Sequence, residues 1–95
     1  MSEHGENLFK ALADRQRRKI LEMLRRGELA AGDIASALEL APATVSHHLA
    51  KLKAANLVRT RRAGQQRIYA LNVSVVEEAL LLIAGLLKSE KEHEQ

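Results

Sequence analysis

Residues 42–71 read PATVSHHLAKLKAANLVRTRRAGQQRIYAL, and two periodicities meet inside this stretch. From Pro42 to about Ala55 the apolar residues Val45, Leu49 and Leu52 recur at helical spacing and fall within about 60° on a helical wheel. Pro42 suits the first turn of such a helix, where no amide partner is needed. Ala43, Thr44, His47, Ala50, Lys51 and Ala54 occupy the opposite side, which is therefore small or polar. After Asn56 the pattern changes. Leu57 to Arg62 and Gln66 to Leu71 flank Ala63-Gly64-Gln65, and these arms with a glycine-containing connection predict a β-hairpin with a basic tip.

Working outward, Asp14 precedes Arg15 to Arg26 as a cap precedes a helix, with Ile20, Leu21 and Leu24 inward and Gly27 as the stop. Leu8, Phe9 and Leu12 carry helical spacing before it. A short helix from about Ala30 to Leu38 presents Ile34, Ala35 and Leu38, and breaks at Glu39-Leu40-Ala41. Downstream of the hairpin, Ser74-Val75-Val76-Glu77 has the form of a capping box and opens a last helix to about Ser89. That helix carries two adjacent apolar stripes, Val75, Ala79, Leu82, Leu86 and Val76, Leu80, Ile83, Leu87, covering about 160° of its circumference. One stripe suffices to pack on the chain's own body. The second predicts a two-fold interface with another copy, in which Leu8, Phe9 and Leu12 join Val76, Leu80, Ile83 and Leu87.

Four helices, a basic hairpin and a last helix give a mainly α fold with a small β wing, the order of a winged helix-turn-helix. Ninety-five residues make one domain over 1–95, with frayed tails expected at 1–6 and 90–95. In such a fold the Pro42–Ala55 helix enters the DNA major groove and the hairpin lies on the neighbouring backbone or minor groove.

The charge map agrees. The net charge of +3 hides strong segregation: His47 to Arg67 holds six cations and no acid, Arg15 to Gly27 holds six cations and one acid, and residues 40–76 contain no carboxylate. A basic block of that kind attracts a polyanion. The absence of cysteine excludes disulfides, thiolate catalysis and thiol redox sensing. No nucleophile with an adjacent base, carboxylate pair or phosphate-cradling loop can be assembled, so no enzyme and no cofactor is expected. Residues 1–7 are neither basic nor apolar, so no signal peptide is read, and the longest apolar run, Ala79 to Ala84, is far short of the roughly 20 residues that span a bilayer. A cytoplasmic protein is expected.

Of the four histidines, His4 and His93 lie in the tails, and the adjacent His47 and His48 point about 100° apart on a helix, so no metal site is expected. His47 is at the centre of the outward face. His48, beside Leu52, reads as a packed, hydrogen-bonded side chain. Thr44, Ser46 and His47 are the candidates for base edges or phosphates, and Lys51 for a phosphate. Arg61, Arg62, Gln65, Gln66 and Arg67 are the candidate wing contacts, Arg62 or Arg67 reaching the minor groove, while Ile68 and Tyr69 pack the wing on the body. Arg17-Arg18-Lys19 suits pairing with Asp14 or Glu22 as well as it suits DNA.

The stretches Phe9 to Asp14, Arg17 to Leu21, Ala31 to Ala35, Val45 to Leu49 and Gly64 to Tyr69 together resemble the ArsR-type winged-helix repressors, and more closely their SdpR-like autorepressor subgroup. The resemblance covers residues 8 to about 87. It implies a homodimeric repressor built through the first and last helices, acting on an inverted-repeat operator, controlling its own operon and answering to a linked membrane protein. Metal sensors of this family use a Cys-x-Cys pair on the third helix or Asp and His ligands on the last. Here Ala30 and Gly32 stand at the first site, and residues 70–90 hold no His, Asp or Cys, so metal sensing by those routes is not implied. The competing readings are a protein-protein adaptor built on the same scaffold with the apolar last helix as its surface, and a binder of double-stranded RNA, which would not select a palindrome.

Overall fold

A computed structural model describes the backbone of residues 3–94 and the side chains of residues 3–88. The elements are α1 (Glu3–Leu12), α2 (Arg15–Arg25), β1 (Leu29–Ala30), α3 (Ala31–Leu38), α4 (Pro42–Ala54), β2 (Val58–Ala63), β3 (Gln66–Leu71) and α5 (Val73–Glu94). Helical backbone thus covers residues 3–6 and 90–94, where frayed tails are expected from the sequence; Met1, Ser2 and Gln95 lie outside the described residues.

Local chemistry sets the boundaries. The Asp14 side chain accepts the Arg17 amide at 3.0 Å and opens α2. Beyond α2, Gly27 has φ +152°, a conformation open to glycine and strained for other residues. Pro42 occupies the first turn of α4, as expected. Asn56 turns the chain out of α4 at φ 60°, and its carbonyl accepts the Asn72 side-chain amide at 2.9 Å. The backbone amide of Asn72 in turn reaches the Leu57 carbonyl at 2.9 Å, so this residue ties the end of the wing to the end of α4. Its own carbonyl accepts from Val75 and Val76, each at 3.2 Å, so α5 opens at Val73 and the Ser74 capping box is not where it begins.

The sheet has three antiparallel strands in the order β1-β3-β2. The hairpin register pairs Val58 with Leu71 and Ala63 with Gln66, leaving Gly64 and Gln65 as the connection. Gly64 takes φ +64°, the positive value that a type II′ hairpin turn needs at its first central position. The additional strand β1 pairs Leu29 with Tyr69 and Ala30 with Ile68. Ala30, expected at the start of the third helix, instead forms this edge pair and is buried.

Leu8, Ile20, Ile34, Val45, Leu49, Leu52 and Leu57 are fully buried and join one cluster with residues from every helix. Leu8 is therefore a core residue of its own protomer, at 0 % exposure, and cannot serve the two-fold interface to which the sequence assigns it. Its helical neighbours Phe9 and Leu12 stay partly accessible. On α5, Ala79 is buried while Leu86 is 63 % exposed, so the stripe expected to pack on the body does so only in its first turns. Leu80, Ile83 and Leu87 of the second stripe are exposed, and Val76 is partly buried.

Candidate nucleic-acid interface

Burial of Val45, Leu49 and Leu52 seats α4 on the core and fixes its opposite face outward. Thr44, Ser46, His47 and Lys51 are all exposed on it. No side chain caps its N-terminus at Ala41 and no acid lies in its first turn, so that end keeps the positive partial charge of free amides.

Two groups behind α4 hold it in place. The His48 side chain is only 12 % exposed, with Nδ1 3.8 Å from Asp14 Oδ2 and 3.4 Å from Arg17 Nη1. This is the packed role expected for it. Arg17 donates from Nε to the Ala11 carbonyl at 2.8 Å and from Nη2 to the Lys10 carbonyl at 3.0 Å. Arg18 donates from Nη1 to the Leu12 carbonyl at 2.8 Å. The partners of these two cations are thus the last carbonyls of α1, with neither Glu22 nor the Asp14 carboxylate in a direct arginine pair among the described residues. The Asp14 carboxyl is held below its ordinary range chiefly by the Arg17 amide, with lesser help from His48 and Arg17 charges against a cost of burial.

In the wing, the pleat separates the candidate residues. Arg62 pairs across the hairpin with Arg67, on the face that also carries Thr60 and Tyr69. Arg67 Nη1 donates to Thr60 Oγ1 at 3.3 Å. Arg61 sits on the other face and makes a two-pronged pair with Glu28, 2.6 Å and 3.3 Å. That contact lowers the Glu28 carboxyl pKa and raises that of Arg61. Gln65 and Gln66 are exposed at the tip. The structure therefore brings Thr44, Ser46, His47 and Lys51 onto one surface, and Arg62, Gln65, Gln66 and Arg67 to one wing end. It ties Arg61 back to the body. Among the described residues no group of three His, Cys, Asp or Glu could hold a metal ion.

Alongside α5 runs an apolar groove of about 410 Å³ whose walls include Leu12, Leu21, Leu57, Leu71, Val76, Leu80 and Ile83. Sequence reasoning missed Glu28 and Asn72 as partners of the wing. Glu28 is next to β1, whose two residues carry no readable period, and Asn72 acts largely through backbone atoms.

A three-helix core whose helix pair α3 and α4 is followed by a hairpin docked through an edge strand defines a winged helix-turn-helix. The model for the bacterial regulatory proteins of the arsR family matches residues 14–60, and the chain belongs to that family. It is 42 % identical over 74 residues to the transcriptional repressor SdpR of Bacillus subtilis, covering 78 % of this chain and 82 % of that protein. It is 40 % identical over 79 residues to the transcriptional activator HlyU of Vibrio cholerae, covering 83 % and 73 %. Among solved structures, a homodimeric winged helix-turn-helix DNA-binding domain from Mycobacterium bovis superimposes with TM-score 0.72 at 33 % identity, over 96 % of this chain and 82 % of that one.

Proposed function

We propose that this chain is a homodimeric regulator that binds double-stranded DNA and represses transcription from the operators it occupies, acting in the cytoplasm as a binding protein and not as a catalyst. The observation that carries the reading is the exposed face of α4 together with the wing end, drawn from a stretch, residues 40–76, without a single carboxylate. A solvent-facing surface with no need of a polyanion would mix both signs. In this reading Thr44, Ser46 and His47 meet base edges and phosphates in the major groove, and Lys51 meets the backbone. Arg62, Gln65, Gln66 and Arg67 follow the adjacent backbone or minor groove. Arg61 contributes by fixing the wing, through Glu28. Phe9, Leu12, Val76, Leu80, Ile83 and Leu87, with the still uncovered Leu86, form the two-fold interface.

The test is selection of genomic fragments by the purified protein at about 0.15 M salt, where non-specific attraction is largely screened. Enrichment of an inverted repeat with half-sites about one helical turn apart is the expected result. A folded dimer that enriches nothing would overturn the reading and leave the adaptor role as the better account.

A further inference from the structure

We infer that α1 contributes to the DNA surface as well as to the dimer: the cleft between α1 and α4 is a seat for one backbone phosphate flanking the groove segment that α4 reads. The inference rests on the DNA-binding reading above. The cleft holds about 180 Å³ and is bounded by Asn7, Lys10 and Ala11 of α1, Arg17 of α2, and Lys51 and Ala54 of α4. Ligand pockets for drug-sized molecules run to about 300–1,000 Å³, so this volume suits a single phosphate better than a whole effector.

Three cations from three elements line it, and they differ in how firmly they are held. Arg17 is the fixed floor. Its Nε and Nη2 are committed to the Ala11 and Lys10 carbonyls and its Nη1 faces His48. A guanidinium has five N–H donors, so three such contacts leave two for an anion without further ordering of the side chain. Lys10 makes an exposed pair with Glu6 at 3.7 Å, of the kind that holds a side chain only loosely. Lys51 lies on the outward face of α4 within one turn of His47, so the cleft opens on the side that meets the groove. Asn7 adds an amide donor. Two acids stand near the cleft: Glu6, which pairs with Lys10, and Asp14, whose carboxyl is directed to the Arg17 amide and His48. The ligand is a DNA phosphodiester, since its position would follow from α4 lying in the groove.

The experiment compares the dependence of affinity on salt for the full chain and four variants, on a duplex long enough to extend past the α4 contact. Each phosphate neutralised contributes about 0.9 to the slope of log affinity against log salt. Lys10→Gln is expected to lower the slope by about that amount, and Lys10→Arg to restore it. Lys19→Gln is the control, because Lys19 lies about 200° from Arg17 on α2 and lines a different cleft; its slope should equal that of the parent. Equal losses from Lys10→Gln and Lys19→Gln would mean a general field and not a seat, overturning the inference. An unchanged slope in Lys10→Gln, with Lys51→Ala still lowering it, would overturn the inference and leave the DNA reading standing. Absence of salt-dependent duplex binding by the parent chain would overturn both.

Discussion

Leu80→Glu should dissociate the dimer while leaving the protomer folded. Leu80 is 66 % exposed, Ile83 45 %, Leu86 63 % and Leu87 64 %, so the four together expose about 2.4 full side chains per protomer. At about 2 kcal/mol for each large apolar side chain covered, their mutual burial in two copies is worth about 10 kcal/mol before the cost of association. Leu80 accounts for about 1.3 kcal/mol of this per protomer, or about 2.6 kcal/mol per dimer. Loss of that term alone weakens the dimer about 80-fold. A glutamate there must in addition be desolvated, or held apart from its two-fold mate, which raises the cost further. The assay is sedimentation equilibrium across a concentration series, with circular dichroism to establish that helix content is kept. A variant that stays dimeric with the parent's dissociation constant would refute the assignment of this stripe to the two-fold interface.

Ile34 is fully buried at the centre of the cluster, so Ile34→Ala should cost about 2–5 kcal/mol in urea unfolding at matched protein concentration; a loss under 1 kcal/mol would mean that the site collapses around the cavity. Lys51→Ala should weaken binding on all duplex sequences alike and lower the salt slope by about 0.9. An unchanged slope would remove Lys51 from the contacts. Because Arg61 lowers the Glu28 pKa below its ordinary 4.5, the pair's contribution to stability is complete above that value and fades as pH falls through the lower folded-state value. Titrating the Glu28 carboxyl by NMR should show this, with return to the ordinary value in Arg61→Ala; a shift that persists without Arg61 would disprove the cause. Gly64→Ala places a side chain at φ +64° and should cost about 1 kcal/mol, read by thermal unfolding, whereas no change would show that the turn has relaxed to another type.

The parts of this molecule that were legible in the chain are those governed by short-range rules. Asp14 reads as a cap and is one, Pro42 opens α4, and the spacing of Val45, Leu49 and Leu52 specifies which face of α4 looks outward. Leu8 reads as an interface residue and is a core one, because a periodic pattern reports that a residue is buried without saying against which chain. The same ambiguity divides the α5 stripes wrongly, since the body ends beside Ala79 while the helix continues to Glu94. Arg17 and Arg18 read equally as partners of Asp14 or Glu22 and as DNA contacts, because the carbonyl acceptors at the end of α1 that they meet have no signature in residue type. The Arg61 pair depends on β1, and a two-residue strand is visible only once its partner strand is in place.

That short strand has a consequence for how operators are spaced. By pairing Leu29 with Tyr69 and Ala30 with Ile68, directly before α3, it makes the base of the wing and the helix pair a single stiff gauge, with Glu28 and Arg61 as a second fastening. A gauge of fixed span does not follow a duplex whose two contact zones have been moved apart. One inserted base pair between them shifts one zone by about 3.4 Å along the axis and turns it by about 34–36°. In the proposed binding mode such a site would keep either the wing or the groove contact and lose the other, so the protein would measure distance along DNA as well as read its letters.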